Sequence, residues 1–273
     1  MTTDTAPADS ELKARHRAMW ALGDYPAVAT EIIAELGPTL VAAAGIGPGI
    51  SVVDVAAGSG NAAIPAALAG ANVIATDLCP DLLEVGEAAA ADAGATLRWL
   101  EADAEHMPCG DGEYDVTMSC VGVMFAPHHQ AAAEELLRIT RPGGTIALLS
   151  WTPEGFIGQM FATMKPYAPP PAPGASPPPL WGDEEHVRAL LGDGVSALTA
   201  RKHVLRVDNF ASGAEFRDFF KATYGPTIAV YTANAANPAT VAALDADLAA
   251  LGDQHLDGGV MEWEYLLLTA TRA

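Results

Sequence analysis

The stretch at residues 51–77 most constrains how this chain folds, because it carries no charged residue between Asp54 and Asp77. Valines fill most of its beginning, small residues occupy 56–60, an alanine-rich segment follows, and a second apolar run ends on Asp77. Glycine and proline interrupt the apolar residues too often for a membrane span. The pattern therefore predicts a strand, a tight turn, a helix and a second strand, which together form a buried β-α-β unit.

Two glycines, Gly58 and Gly60, mark the turn as a ligand site. Without Cβ atoms they let the backbone turn sharply, and they let a polar or anionic ligand approach the free N–H groups at the start of the helix. Asp77 follows about 20 residues later, at the spacing where a carboxylate accepts hydrogen bonds from both ribose hydroxyls of a nucleotide. Because residues 58–63 also fit G-x-G-x-x-A, the turn alone leaves open a nicotinamide or flavin site and a plain strand-to-helix turn.

Four motifs along residues 51–151 resemble, in order and spacing, those of class I S-adenosylmethionine-dependent methyltransferases. The first, D-V-A-A-G-S-G from Asp54 to Gly60, is similar to the family signature D-x-G-x-G-x-G, with Ala56 in place of its first glycine. The others are E-A-D-A-E at 101–105, Y-D-V-T-M-S at 114–119 and R-P-G-G-T at 141–145. The chain resembles in particular the small-molecule branch called type 11 methyltransferases. The methyl group of Ala56 narrows the turn, which affects cofactor placement more than cofactor identity.

The resemblance implies an α/β fold with a Rossmann-like, doubly wound sheet of seven strands. The sheet is expected to be mostly parallel with an antiparallel last strand, and a helical cap is expected beside it. The expected parts are an N-terminal helical flap (1–45), an S-adenosylmethionine-binding core (46–151), cap segments (152–196 and 208–258) and closing strands of the core sheet (197–207 and 260–271).

The same resemblance implies which residues hold S-adenosylmethionine. The backbone of the glycine turn, Asp77 on the ribose, and Asp103 with Ala104 on the adenine are its main contacts. Trp20 and Tyr25 either line the site from the flap or anchor the flap to the core, since aromatic side chains do both. The predicted cofactor-binding residues are Trp20, Tyr25, Ala56, Ala57, Gly58, Gly60, Asp77, Leu78, Asp103, Ala104, Ser119 and Cys120.

The methyl acceptor is expected in a pocket of large apolar side chains. The loop at 121–125 is almost wholly apolar and follows a predicted strand, at the sheet edge where α/β folds bind ligands. An aromatic stripe at 216–220 either packs into the core or faces this pocket. The predicted acceptor-binding residues are Met124, Phe125, Trp151, Phe156, Phe216 and Tyr224.

The sequence does not identify a catalytic base. His128 and His129 begin a helix after the apolar loop, where a histidine can act as a base near neutral pH, although the first helical turn commonly faces solvent. Tyr224 is a third candidate. An activated methyl donor needs mainly in-line positioning and exclusion of water, so a catalytic triad is not required.

Composition narrows the partners and the compartment. A net charge of −20 disfavours binding to nucleic acids, whose phosphates are negative. Cys79, Cys109 and Cys120 show no disulfide or metal-ligand spacing, so no metal is expected. The N-terminal residues are polar and lack the apolar core of a signal peptide. We expect a cytoplasmic protein without a membrane partner, either a monomer or a homodimer.

Local signals predict further elements. Residues 11–20 and 26–44 are expected to form two helices, while about the first ten residues are expected to be mobile. A proline tract at 169–179 is expected to form a stiff strap over the mouth of the site. A strand at 198–207 carries the densest basic cluster, which is expected to meet the protein's own carboxylates. A capping box at 212–215 begins a helix, a second helix spans 237–252, and a closing strand spans 262–271.

Together these features predict an enzyme that transfers a methyl group from S-adenosylmethionine to a small, largely apolar molecule. An aromatic or polyketide-like hydroxyl, methylated on oxygen, is the expected acceptor, with a heteroaromatic nitrogen as the next choice. Two alternatives remain: an NAD-dependent oxidoreductase, which would use the G-x-G-x-x-A turn, and a non-catalytic S-adenosylmethionine-binding protein.

Overall fold

The computed structural model describes residues 5–273, with side chains from Asp9 onward, and contains a seven-stranded sheet. The strands are β1 (Ser51–Val55), β2 (Asn72–Asp77), β3 (Arg98–Glu101), β4 (Tyr114–Cys120), β5 (Thr140–Trp151), β6 (Val195–Val207) and β7 (Met261–Arg272). Their order in the sheet is β3-β2-β1-β4-β5-β7-β6. Strands β1 to β5 pair in parallel, and β7 is antiparallel to both β5 and β6. The predicted α/β fold with an antiparallel last strand is therefore confirmed.

The helices of the described chain lie before, between and after these strands. They are α1 (Thr5–Trp20), α2 (Tyr25–Ala27), α3 (Leu36–Ala43), α4 (Ala63–Leu68), α5 (Pro80–Asp92), α6 (His129–Ile139), α7 (Phe156–Met164), α8 (Glu184–Leu191), α9 (Gly213–Thr223), α10 (Gly225–Ala233) and α11 (Pro238–His255). A π-helical turn, Val28–Ile32, continues α2, and a 3₁₀ turn, Val123–Phe125, follows β4. Helices α9 to α11 lie between β6 and β7 in the chain and, with α7 and α8, occupy the segments expected to form the helical cap.

The central strand β1 explains where a ligand binds. Its valines Val52, Val53 and Val55 are fully buried because β1 has a parallel strand on each side and helices over both faces. The chain leaves β1 toward β2 on one side, whereas β4 lies on the other side. The connections therefore diverge between β1 and β4, and in open α/β sheets the crevice at this point is where ligands bind.

The N-terminal segment differs from the prediction. Helix α1 begins at Thr5, so residues 5–10 are helical, while residues 1–4 of the stretch expected to be mobile lie outside the described residues. The single helix predicted for 26–44 is wrong, because Tyr25–Ile32 and Leu36–Ala43 meet at a 70° bend. Pro38 has no N–H to donate to the carbonyl of Ala34, and its ring clashes with a continuous helix.

The length and apolarity of a helix decide whether it can cross a membrane. None of the single helices within residues 5–273 combines the length and apolarity needed to cross a membrane. The bent pair Tyr25–Ile32 and Leu36–Ala43 meets these two measures only when its halves are taken together.

The cap packs onto the sheet through aromatic side chains and close glycine contacts. Phe156 stacks on Trp263 with ring centroids 5.2 Å apart, and Phe216 meets Phe156 edge-on at 4.8 Å. At Gly213, a Cβ atom would lie 1.9 Å from the carbonyl oxygen of Ala249, so α9 and α11 are in backbone contact. Burial of each large aromatic side chain contributes about 1.5–3 kcal/mol to folding.

Two other expected features have clear places in the fold. The basic residues of β6 meet carboxylates of β7, with Lys202 3.0 Å from Glu264 and Arg206 3.6 Å from Glu262. The proline tract at 169–179 approaches the loop after β4, where the N–H of Ser176 donates to the carbonyl of Pro127 at 2.9 Å. Its residues line neither of the two cavities described below, so its role as a strap over the site stays a prediction.

Candidate active site

A cavity lies at the carboxyl ends of β1, β2 and β4, under α1, with about 620 Å³ of empty space when the solvent at its open mouth is included; we call it the larger cavity. The predicted cofactor-binding residues that line it are Trp20, Tyr25, Ala56, Gly58, Asp77, Leu78, Asp103 and Ala104. Ala57, Gly60, Ser119 and Cys120 do not line it. The Ser119 hydroxyl instead donates to the carbonyl of Val55 and accepts from the N–H of Val123, which fixes the turn after β4.

The turn after β1 is sharp, as its glycines predicted, and its backbone is left-handed at Gly58 and Gly60. Ala56 adopts φ 56° where the family signature has glycine, at a cost of about 1 kcal/mol. The turn also requires glycine at position 122, because a Cβ atom on Gly122 would lie 2.0 Å from the Ala56 carbonyl oxygen. At Gly60, φ is 89° and a Cβ atom would lie 2.7 Å from the ring of Trp99. Gly60 therefore packs against the ring of Trp99 and does not line the larger cavity.

Asp77 joins the end of β2 to this turn. One carboxylate oxygen accepts the N–H of Gly58 and the other accepts the N–H of Cys79, both at 2.8 Å. Burial raises the pKa of Asp77, and these N–H groups only partly oppose the rise. The side chain lines the larger cavity while these contacts hold it in place, as a group that receives ribose hydroxyls requires.

Asp54 is the strongest sign that a charged ligand belongs above the turn. The residue is 1% exposed, and neither carboxylate oxygen has a hydrogen-bond partner. Burial raises the pKa of Asp54 well above its usual value, Asp77 raises it further, and the nearby N–H of Ala63 opposes the shift without forming a hydrogen bond. A buried carboxyl without a partner is costly. Asp54 lines neither cavity, so the positively charged amino group of S-adenosylmethionine would supply a counter-charge to it across the turn, and in that sense this side chain and the glycine turn fit that cofactor.

Helix α1 closes the side of the larger cavity that Asp103 lines. The Lys13 ammonium lies 2.9 Å from Asp103 and 2.6 Å from Glu105, which is buried. Burial alone would raise the pKa of Asp103, but the N–H of Glu105 and the Lys13 ammonium hold it below its usual value. Burial, and then Lys13, lowers the pKa of His16, which also lines the cavity.

Sequence reasoning missed Lys13 and His16. Both line the larger cavity together with Trp20, and the three lie on one face of α1 at i, i+3 and i+7. That spacing is visible in the sequence and would have placed all three at the site.

The two histidine candidates lie elsewhere. His128 Nδ1 is 2.8 Å from Glu105, and its backbone N–H donates to the same carboxylate at 2.7 Å. His129 is buried instead of facing solvent, 3.0 Å from His186 Nε2, and burial followed by His186 lowers its pKa to about 4. Neither histidine lines a described cavity. The structure therefore does not bring either one to the ligands.

A second cavity of about 320 Å³, the smaller cavity, adjoins the larger one through Tyr25, Val121 and Phe125, which line both. Its other lining residues are Val28, Ile33, Trp151, Ile157, Phe220, Tyr224 and Trp263. Phe125, Trp151 and Tyr224 among the predicted acceptor residues line this cavity.

The other predicted acceptor residues, Met124, Phe156 and Phe216, are 0–1% exposed and line neither cavity. Phe156 and Phe216 pack behind Trp263, so the core alternative for the aromatic stripe applies to Phe216. Phe220, from the same stripe, faces the smaller cavity.

Trp20 lines the larger cavity and packs against three aromatic residues that line the smaller one. Its ring lies edge-on to Phe125 at 4.7 Å, to Tyr25 at 5.5 Å and to Tyr224 at 5.9 Å. It therefore lines the larger cavity and also anchors the flap, so both roles considered for it hold.

Comparison with known proteins agrees with this geometry. A family model described as a methyltransferase domain, type 11, matches residues 53–148. The uncharacterized protein Rv1405c of Mycobacterium tuberculosis is 54% identical over 273 residues, covering 100% of both chains. The ubiquinone/menaquinone biosynthesis C-methyltransferase UbiE of Burkholderia orbicola is 34% identical over 115 residues, 41% of this chain and 47% of that protein. The YcgJ protein of Bacillus subtilis has a similar fold, with TM-score 0.58, 17% identity and coverage of 87% of this chain and 97% of that one.

The chain belongs to the class I S-adenosylmethionine-dependent methyltransferases, in the same family as Rv1405c. Its cofactor is S-adenosylmethionine. The G-x-G-x-x-A pattern therefore does not mark an NAD-dependent oxidoreductase, and a non-catalytic binding protein is also set aside.

Proposed function

We propose that this methyltransferase acts on a small, largely apolar molecule and methylates an aromatic or polyketide-like hydroxyl on oxygen. The observation that carries the proposal is the smaller cavity, which adjoins the larger cavity through Tyr25, Val121 and Phe125. An acceptor in the smaller cavity is thereby next to a cofactor in the larger one.

The lining of the smaller cavity supports this acceptor class. None of the described residues that line it is charged, and most are apolar or aromatic. A sugar, a nucleotide or a charged amino acid would bury polar groups there without partners, at about 1–3 kcal/mol for each group. Flat aromatic rings, in contrast, pack edge-to-face or offset against aromatic walls.

The cofactor contacts in this proposal follow the larger cavity. The glycine turn holds the methionine part, Asp77 accepts the ribose hydroxyls, and Asp103 with Ala104 binds the adenine. The aromatic faces of Trp20 and Tyr25 would favour a cation beside them. Bound S-adenosylmethionine supplies a methyl group carried on a positively charged sulfur.

The protein contributes to catalysis mainly by positioning the acceptor and by excluding water. The acceptor's hydroxyl loses its proton to solvent, its oxygen forms a bond to the methyl carbon, and the electron pair of the broken carbon–sulfur bond stays on the sulfur. The aromatic walls exclude water from this step and hold the acceptor in line with the methyl group. Both effects lower the activation free energy, together by several kcal/mol.

Carbon is the second candidate atom. The name of UbiE assigns that relative to C-methylation in ubiquinone and menaquinone biosynthesis. An activated ring carbon beside a hydroxyl would fit the same apolar cavity.

Charge and cysteine content support the remaining proposals. A net charge of −20 disfavours a nucleic-acid acceptor. The three cysteines are free, which suits a reducing compartment such as the cytoplasm. No membrane partner is proposed, and a monomer or a homodimer is the proposed state.

An acceptor screen with methyl-labelled S-adenosylmethionine tests the function. Phenols, naphthols and polyketide enols form one arm; sugars, nucleotides, amino acids, protein and RNA form the other. We expect label transfer only in the first arm, with nuclear magnetic resonance showing an O-methyl product. Transfer confined to protein or RNA would overturn the small-molecule proposal, and a C-methyl product would favour the second candidate.

A further inference from the structure

Two tyrosines from distant parts of the chain are held side by side at the smaller cavity. The N–H of Asp24 donates to the carbonyl of Thr223 at 3.0 Å, which fixes the residues that precede Tyr25 and Tyr224 to each other. A Cβ atom at Gly23 would lie 2.6 Å from the same carbonyl oxygen, so the two segments are in backbone contact. The rings of the two tyrosines have centroids 6.5 Å apart and are tilted by 36°.

Both rings face ligand space. Tyr224 lines the smaller cavity, and Tyr25 lines both cavities. Tyr25 also covers the turn after β1, because a Cβ atom on Gly58 would lie 3.3 Å from its ring. Tyr25 therefore lies where the two cavities meet.

The two hydroxyls are not used by the fold. Within the described chain, neither forms a hydrogen bond, whereas the Tyr231 hydroxyl donates to Asp245 at 2.7 Å. Neither oxygen is sealed inside the protein, in contrast to the Trp263 Nε1–H on the same wall, which is buried without a partner. Buried tyrosine hydroxyls normally find a partner, so these two are available to a ligand.

The polar groups of the smaller cavity are all potential donors. Burial raises the pKa of Tyr25, and Cys120, Asp77 and Asp54 add to the rise. Burial, and then Tyr25, raises the pKa of Tyr224. Both hydroxyls thus stay protonated at neutral pH, and the indole of Trp151 on the wall has only an N–H group to offer. A ligand that satisfies this cavity must present an acceptor atom, most effectively an anionic oxygen.

We propose that the hydroxyls of Tyr25 and Tyr224 bind the reacting oxygen of the acceptor as two hydrogen-bond donors, and so select molecules that react as a phenolate or an enolate. This inference rests on the proposed function and identifies its specificity-determining residues. Two donors leave the third lone pair of the oxygen free to form the bond to the methyl carbon.

The arrangement explains why none of the described residues that line both cavities is a base. Hydrogen bonds to an oxyanion stabilise it and lower the pKa of the bound hydroxyl, which opposes the rise that burial and the nearby Asp77 and Asp54 cause at this place. The proton leaves to solvent as the acceptor binds. Transfer then joins an oxyanion and a cationic methyl donor into two neutral products, so charge balances without a protein base.

The ionisation of a bound phenol tests the inference without turnover. 4-Nitrophenol is titrated by absorbance in the complex of the protein with S-adenosylhomocysteine, in wild type, Tyr224→Phe and Tyr25→Phe. Loss of one hydrogen bond to a charged oxygen should raise the pKa of the bound phenol by about one to two pH units. Tyr265→Phe is the matched control, because Tyr265 is outside both cavities, and it should leave that pKa unchanged.

Kinetics with a phenol that the enzyme methylates gives a second readout. In Tyr224→Phe, the pH at which turnover reaches half its maximum should move upward by the same one to two units. Affinity for S-adenosylhomocysteine should stay within about twofold of wild type, because Tyr224 does not line the larger cavity.

The outcomes separate the two proposals. If phenols are methylated but neither tyrosine variant shifts the pKa of bound 4-nitrophenol, the tyrosine pair is not the oxygen site while the proposed function stands. If no phenol or enol binds or reacts, the proposed function fails and the inference fails with it.

Discussion

The ammonium of Lys13 lies 2.6 Å from a carboxylate oxygen of Glu105, and both side chains are close to fully buried. This pair fastens α1 to the loop after β3. Because Lys13, His16 and Trp20 on α1 all line the larger cavity, the helix covers the cofactor site. Access of the cofactor to the site is therefore expected to depend on how firmly this pair holds α1.

Lys13→Met should loosen α1 and destabilise the protein. It leaves the Glu105 charge buried, with His128 as its remaining partner, at a cost of about 3 kcal/mol. Thermal denaturation should show a Tm lower by about 6–12 °C. Arg15→Met on the exposed side of the same helix is the matched control and should leave Tm almost unchanged. Equal Tm values for the two variants would show that the pair does not hold α1.

Asp77→Ala tests the ribose contact. It removes the acceptor of the ribose hydroxyls, and a loss of about 1.5–3 kcal/mol, the value of a hydrogen bond to a charged group, should weaken S-adenosylhomocysteine binding by roughly tenfold to a hundredfold in calorimetry. The N–H groups of Gly58 and Cys79 also lose their acceptor, so Tm should fall in the absence of ligand. A folded variant with wild-type affinity would exclude Asp77 as the ribose acid.

Asp54→Asn should change how stability depends on pH. The pKa of Asp54 is raised in the folded state, mainly by burial, so its contribution to stability is fully present below the unfolded pKa and is lost as pH rises through the folded pKa. Without ligand, the Tm of Asp54→Asn relative to wild type should therefore increase between pH 5 and pH 8. A difference independent of pH would mean that Asp54 is already ionised in the folded protein throughout this range, so that its pKa is not raised into it.

Asp115→Asn serves as a control of opposite sign. The N–H and hydroxyl of Ser51, and then Arg141, lower the pKa of Asp115 to about 2, so its contribution is present above the unfolded pKa and is lost as pH falls. The Tm deficit of Asp115→Asn should thus be present at neutral pH and shrink below about pH 4.

The turn after β1 gives a paired prediction. Ala56→Gly removes the strain of φ 56° but adds flexibility to the unfolded chain, so stability should change by less than about 1 kcal/mol. Gly122→Ala should cost more than about 3 kcal/mol, because its Cβ atom would lie 2.0 Å from the Ala56 carbonyl oxygen. Denaturant unfolding measures both variants. A mild Gly122→Ala phenotype would show that the turn adapts.

Local sequence signals were sufficient for the core of the fold. The run at 51–77 carries its own alternation of strand, turn and helix, and the motif order specified the parallel strands that follow. The left-handed turn at Gly58 and Gly60 was predictable because few other residues adopt it.

What the sequence left open depends on contacts between distant residues. Phe216 and Phe220 lie on one stripe of α9, yet only Phe220 lines a cavity. Which of the two side chains faces the cavity depends on the rotation of α9 about its axis. The backbone contact of Gly213 with Ala249 on α11 fixes that rotation. The pairing of Tyr25 with Tyr224 likewise needs the link between Asp24 and Thr223, which no local pattern reveals.

Turnover should not depend on added magnesium. Within the described residues, one cluster brings acids and a histidine close enough for a metal: the ligand atoms of Asp9, Glu105 and His128 lie within 4.8 Å of one another. The Lys13 ammonium, 2.6 Å from Glu105, already supplies the positive charge there, and the smaller cavity has no carboxylate on its wall. Methyl transfer to the preferred phenol should keep its rate when a chelator is added and gain nothing from magnesium. A loss on chelation that magnesium restores would show that the acceptor oxygen is activated by a metal instead of by the tyrosine hydroxyls.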